Sequence, residues 1–397
     1  MLYTAFQDKK LSLLGFGAMR LPVKDGMIDE EMTFQMVDEA MKAGVNYFDT
    51  AYPYHSGHSE RVIGRALERY PRDSYYLATK FPGHQVRADY DPEKVFEEQL
   101  KKCRTEYFDF YLLHNVCETS IDTYTDPKWG IVDYFIKQKK LGRIRHLGFS
   151  SHGKMENLKK WLELYAEHME FCQIQLNYMD WTLQNGKEKV DLLNERDMPI
   201  WVMEPVRGGK LSNMAKENEE KLKALRPHET VSAWAFRFLQ DVKGVKVILS
   251  GMSNMEQLAD NIHTFTDAKP LTDSEKEVLF DIAEGMKNAV PCTSCRYCTD
   301  HCPMELNIPE LISTFNEMRF STVINAPMFI ETLDENKKPK ACIACGACKA
   351  VCPQRIDIPN VLKEFAEKLA QIPSWAETCR KRDEEQRKMD ALQGEKA

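Results

Sequence analysis

"VNYFDTAYPY", residues 45–54, carries the first signal of the architecture. It is an apolar run closed by an acid, Asp49, with a tyrosine, Tyr54, five residues on. Two later runs close in the same manner: "YYLATK" ends on Lys80 and "FDFYLLH" on His114. The steps between the three are 31 and 34 residues, each the length of one strand–helix unit. Repetition at that length predicts charged groups delivered, one per unit, to the same end of a parallel sheet.

Five more short apolar runs share the pattern: "LSLLGFG", "IRHLGFS", "FCQIQLN", "IWVME" and "VKVILS". Amphipathic stretches separate them. In "EEMTFQMVDEAMKAG", residues 30–44, Met, Val, Ala and Met recur at three- and four-residue steps, and Gly44 stands where a C-terminal cap belongs. Eight strands alternating with helices over about 250 residues predict an α/β protein built on a closed (β/α)8 barrel. A doubly wound open sheet is the competing architecture. "GFGAMR" is not a dinucleotide fingerprint, since the third glycine of that motif is missing.

The chain has 397 residues, more than one ordinary core needs, so one large and one small domain are expected. Hydrophobic content of 43% and charged content of 29% fit a globular protein. A net charge of −7 argues against nucleic acid as a partner. No apolar run has a membrane-spanning length, and "MLYTAFQDKK" has no apolar h-region. No membrane association is expected. Eight of the twelve cysteines fall in two tight clusters. With no export signal read, a cytoplasmic setting with metal ligation is expected rather than disulfides. The predicted organisation is a barrel over 1–285, a cysteine domain over 286–372 and a charged tail over 373–397.

Folding brings Asp49, Tyr54, Lys80 and His114 to one mouth in this reading. Reducing a carbonyl needs a hydride on carbon and a proton on oxygen. Tyr54 is the candidate acid. A neighbouring Lys80 ammonium is expected to lower its pKa, with Asp49 holding the lysine charged. His114 would hydrogen-bond and orient the carbonyl oxygen, or relay the proton. Any one of these residues alone reads more readily as structural; four at strand-end register do not. His55, His58 and Cys117 are weaker candidates for lining the pocket. Cys103, Cys172 and Cys379 read as ordinary thiols.

Roughly the first 265 residues resemble an aldo-keto reductase. "NYFDTAYPYHSGHSERVIGRAL" is similar to that family's signature, "ATK" supplies Lys80 and "YLLHN" supplies His114, completing the family's tetrad. The resemblance implies a (β/α)8 barrel and hydride transfer between NADP(H) or NAD(H) and a small carbonyl or alcohol substrate. It also implies cofactor positions. Gly17, Met19 and Arg20 lie at the first strand end. In "LGFSS", Ser150 and Ser151 occupy the carboxamide segment, with Ser151 in place of the usual asparagine, and Gln173 fits the second carboxamide contact. "MEPVRGGKL" resembles the pyrophosphate loop and supplies Met203, Pro205, Arg207, Gly208 and Leu211. Met203 and Glu204 stand where an aromatic residue and a serine are common. "SGMSNMEQLADN" resembles the adenosine segment, with Gly251, Gln257 and Asn261 in place. Ser253 and Asn254 stand where a basic residue often clamps a 2′-phosphate, which puts the NADPH preference in doubt. Arg207 or Lys210 is the candidate to compensate.

"CTSCRYCTDHCP", 292–303, and "CIACGACKAVCP", 342–353, repeat at an offset of 50 residues, and an Ile-Pro follows each. C-x2-C-x2-C-x3-C-P is an iron–sulfur signature in which the fourth cysteine ligates the other cluster. Cys292, Cys295, Cys298 and Cys352 are then the ligands of one [4Fe–4S] cluster. Cys342, Cys345, Cys348 and Cys302 are the ligands of the second. Zinc is the alternative, but it favours paired C-x2-C knuckles. The wide gap and helix-like flanks make this region resemble an α-helical ferredoxin. Three functions stay open. The clusters exchange electrons with ferredoxin or another carrier, they are structural or sensing additions to a carbonyl reductase, or the barrel is a binding subunit without turnover.

Overall fold

The computed structural model describes residues 1–286, 290–320 and 325–394. The chain forms two compact units, Met1–Phe280 with Lys381–Ala397, and Asp281–Arg380.

In the first unit all eight apolar runs form strands: β1 (Leu14–Gly17), β2 (Tyr47–Asp49), β3 (Tyr76–Phe81), β4 (Phe108–Leu113), β5 (Ile144–Ser151), β6 (Cys172–Gln175), β7 (Ile200–Met203) and β8 (Val245–Gly251). They pair in sequence order, all parallel, and close into a barrel. Closure is the pairing of β8 with β1, Ile248 opposite Leu14 and Gly251 opposite Gly17. An open sheet has no such pair. Helices cover the outer face, so a strand such as β4, "FDFYLL", is buried at every position. The helices start on side-chain caps: Asp29 accepts from the Met32 N–H at 3.0 Å, and Asp91 from Lys94 at 2.9 Å with Pro92 at the first turn.

Strand side chains alternate in and out with a period of two. Tyr47, Ala78, Phe110 and Leu112 face the interior core, with Phe171 and Trp201. Two residues further along three of these strand lines come Asp49, Lys80 and His114. The same alternation that fills the core therefore carries these groups to the barrel's C-terminal mouth. The opposite end is closed by an N-terminal hairpin, Tyr3–Phe6 with Lys9–Ser12. Its Phe6 ring lies 5.1 Å from Trp201 and 5.6 Å from Phe110.

In the second unit, helices Ile308–Phe320 and Ile358–Leu369 each begin at one of the repeated Ile-Pro pairs. Phe315 and Phe365 stack at 4.9 Å in a core that includes Leu306, Ile312 and Leu362, and into which Cys298 and Cys348 are packed. The sequence repeat is also a backbone repeat. Ser294 and Arg296 have φ of 56° and 67°, and Ala344 and Gly346 have 54° and 78°. The last helix, Trp375–Gly394, contains the charged C-terminal stretch. No helix among the described residues is long and apolar enough to cross a membrane.

Candidate functional site

Lys80 sits at the centre of the barrel mouth and is fully buried. Its Nζ donates to Asp49 Oδ1 at 2.5 Å, to the Thr50 carbonyl at 2.7 Å and to the Tyr54 hydroxyl at 3.4 Å. Burial alone pushes the lysine's pKa down and the aspartate's up, and each partner opposes the shift of the other. Together they form a matched pair. The Tyr54 ring meets His114 edge to face with centroids 5.8 Å apart, and the His114 ring lies 4.3 Å from His84.

The expected direction for Tyr54 is reversed. Its pKa stands well above 10, first because of burial and then because of the negative charges of Asp49 and Glu204. The physical reason is burial first, which the Lys80 ammonium, 2.5 Å from Asp49 and 3.4 Å from the hydroxyl, does not outweigh. His114 is driven well below its ordinary value, chiefly by burial and then by His84 and Lys80, and is a neutral imidazole. His84 falls to about 3 and His152 to about 4, both through burial first. The wall beside Tyr54 thus carries three uncharged imidazoles.

Three buried polar atoms here have no hydrogen-bond partner: Asp49 Oδ2, His114 Nδ1 and Gln173 Oε1. Such atoms fit a site completed by a ligand. The Gln173 amide nitrogen reaches only the Met203 sulfur, at 3.6 Å, which leaves its oxygen for an amide N–H of a nicotinamide carboxamide. The Ser151 hydroxyl donates to the Val116 carbonyl at 2.7 Å and accepts from Gly153. Ser150 accepts from the Asn115 N–H.

Between Glu204 and Gly209 the backbone is left-handed at Glu204, Arg207, Gly208 and Gly209. Consecutive turns of this kind gather N–H groups into an anion-binding concavity, which fits a pyrophosphate. Pro205 and Leu211 are buried beneath it. Arg207 is 1% exposed and paired with Asp180; Asp180 is also held by Gln175 and Asn177 at 2.8 and 2.6 Å. Arg207 therefore faces a buried acid rather than the surface. Its charge is spent inside the fold on a buried acid, while Lys210 is exposed.

The segment expected to hold adenosine is bonded within itself. The Gln257 side chain accepts from Ser253 N at 2.8 Å, Asn254 caps its helix at 2.9 Å, and Asn261 donates to Ser250 at 2.8 Å. Ser253 donates to the Arg20 carbonyl at 2.9 Å, so Gly17, Met19 and Arg20 border this segment. His55 accepts from the Leu21 N–H at 3.1 Å, and His58 faces Asp390 at 3.8 Å. Cys117 is buried against Thr119 and Ser120. His84, His152 and Glu204 were not singled out for the mouth by sequence reasoning. His84, four residues past Lys80, carried a readable signal.

Two small cavities lie among the described residues of the second unit. Cys292, Cys295, Cys298 and Cys352 line one, and Cys302, Cys342, Cys345 and Cys348 line the other. None of the eight is in a disulfide. In each run two left-handed residues flank a cysteine, a backbone pattern that favours anion-binding concavities. Four thiols around a cavity fit a cluster of net negative charge.

The sequence profile of the Aldo/keto reductase family matches residues 13–282, and that of a 4Fe-4S dicluster domain matches 291–356. Among relatives, the uncharacterized oxidoreductase YqkF of Bacillus subtilis is 26% identical, over 68% of this chain and 92% of its own. The NADH-specific methylglyoxal reductase of Escherichia coli is 23% identical over 70% and 97%. The holo structure of aldo-keto reductase AKR11C1 from Bacillus halodurans superposes with a TM-score of 0.58 at 26% identity, covering 71% of this chain and 96% of that one. The chain belongs to the aldo-keto reductase family of oxidoreductases, and a 4Fe-4S dicluster domain follows its barrel.

Proposed function

We propose that the barrel reduces an aldehyde or ketone to the alcohol using NADH or NADPH, and that the two [4Fe–4S] clusters exchange electrons with a carrier such as ferredoxin. The observation that carries the first part is the convergence of Asp49, Tyr54, Lys80 and His114 on one mouth. A bound reduced nicotinamide supplies the hydride. Tyr54 is protonated at neutral pH and passes its hydroxyl proton to the carbonyl oxygen as negative charge builds there. Lys80 then faces the resulting phenolate, and Asp49 keeps Lys80 charged in a dry site. Neutral His114 hydrogen-bonds the carbonyl oxygen and orients it.

Gln173 and the left-handed loop from Glu204 support cofactor placement at the amide and the pyrophosphate. Cys292, Cys295, Cys298 and Cys352 would hold one cluster, and Cys302, Cys342, Cys345 and Cys348 the other. Two cavities sharing one apolar core support a pair of neighbouring clusters. That Cys298 and Cys348 are packed into this core favours a second, structural role for the same clusters.

The test joins steady-state aldehyde reduction with NADH and NADPH to EPR on anaerobic protein, with dithionite as the positive control. Turnover that Tyr54→Phe abolishes supports the barrel chemistry. Clusters reduced by nicotinamide support electron exchange. Reduction by dithionite alone leaves them structural or fed by an external donor.

A further inference from the structure

The two cysteine cavities are lined from equivalent places in the repeat. At the offset of 50 residues, Pro309, Ile312 and Ile356 of the first cavity correspond to Pro359, Leu362 and Leu306 of the second. The thiols match as well. Cys295 and Cys345 are exposed, Cys298 and Cys348 are each 6% exposed, and the other four are half-buried. The backbone matches too: φ is positive at Ser294, Arg296 and Arg355, and at the equivalent Ala344, Gly346 and Glu305. Ligand type, exposure and local backbone, which set much of a cluster's potential, are therefore nearly equal at the two sites.

Three lining positions break the match, all in one direction. Thr293, Arg296 and Gln354 line the first cavity where Ile343, Gly346 and Met304 line the second. Apart from its thiols, the second cavity is lined, among the described residues, by apolar side chains and glycine. Reducing a [4Fe–4S] cluster by one electron adds one negative charge. A guanidinium and polar side chains at the wall favour that reduced form, while an apolar wall solvates the added charge poorly. The lysines flanking the second run do not cancel this difference. Lys349 is paired with Asp357 at 2.8 Å and Lys340 with Glu335 at 2.5 Å, all at exposed positions, where ion pairs project little field.

We infer that the two clusters are unequal, and that Arg296 holds the first electron on the cluster of Cys292, Cys295, Cys298 and Cys352. That electron comes from a reduced one-electron carrier of the ferredoxin class, which is oxidised as the cluster is reduced. The cluster of Cys302, Cys342, Cys345 and Cys348 is then the low-potential member of the pair. This rests on the reading above that both cavities hold [4Fe–4S] clusters.

The experiment is a potentiometric titration of the full-length anaerobic protein with dithionite, followed by EPR. Repulsion between neighbouring reduced clusters splits even equal sites into two waves, so the deciding observation is which wave a substitution moves. R296G copies the second repeat and relaxes a left-handed backbone. It should lower the upper wave by about tenfold in the reduction equilibrium, or about 59 mV, and leave the lower wave in place. R296K keeps the charge and should keep the upper wave, which a general loosening of the domain would not do. Raising the salt concentration should shrink the difference between wild type and R296G. Were the two sites equal, R296G would move the lower wave instead. That result, or no movement of either wave, overturns the inference. Iron analysis keeps the underlying reading separate: about eight irons per chain are expected. About four irons after reconstitution would mean a single cluster, which sinks the two-cluster reading and the inference with it.

Discussion

Lys80 Nζ lies 2.5 Å from Asp49 Oδ1 and 3.4 Å from the Tyr54 hydroxyl. The lysine is bound first to the acid and only second to the tyrosine. Lys80→Met should remove most turnover and leave Asp49 buried without its cation, at a cost of about 3–5 kcal/mol in stability. Asp49→Asn added to Lys80→Met should recover much of the stability and none of the activity. Urea denaturation of the two singles and the double measures the coupling.

Tyr54→Phe removes the proposed acid without changing the packing of the ring. Aldehyde reduction should fall by about 10²- to 10⁴-fold in kcat, with a nearly unchanged far-UV spectrum. Retained turnover would mean the proton comes from elsewhere.

The elevated Tyr54 pKa sets a pH profile. A proton donor works while protonated, so its contribution is lost as pH rises through its pKa, and here that lies well above 10. The kcat for reduction should therefore stay flat through neutral and mildly alkaline pH. Glu204→Gln removes one of the negative charges that hold the phenol up, so it should move the alkaline loss to lower pH. Stopped-flow rates over the alkaline range read both effects.

Each cavity in the cysteine unit takes its fourth thiol from the other repeat. Cys352→Ser should disturb the same cluster as Cys295→Ser, and Cys302→Ser the same one as Cys345→Ser. Iron content in each variant should drop by about half if the damaged cluster is lost. EPR spectra of the four variants should fall into two pairs.

Glu170 ties the barrel floor together. It accepts from Gln7 at 2.7 Å, lies 2.9 Å from His146 Nδ1 and pairs with Lys139 at 2.6 Å. Despite partial burial, these partners, His146 first, depress its pKa to about 2. A depressed acid contributes stability that is complete above its ordinary value near 4.5 and fades as pH falls toward about 2. Glu170→Gln should flatten stability against pH across that acid window while lowering stability near neutrality. Tryptophan fluorescence in urea at several pH values would show it.

The barrel was legible because each of its signals is local. Strand runs, helix periodicity and the 31- and 34-residue steps can all be counted along the chain, and a period of two carries Asp49, Lys80 and His114 from core to mouth. The repeated cysteine runs are local in the same sense. Depth and distant neighbours were not legible. The sign of the Tyr54 shift is set first by burial and then by Asp49 and Glu204, and Arg207 meets its acid, Asp180, 27 residues away in sequence. Asp390 and His58 lie more than three hundred positions apart in sequence yet 3.8 Å apart in the fold, so no spacing rule joins them. Sequence alone marked the strand runs, the strand-end groups and the paired cysteine runs, because backbone periodicity and ligand spacing are short-range. Only the tertiary structure decided which charges are buried, which are already matched and which helix lies over the Tyr54 loop, because burial and Coulomb interaction act through space.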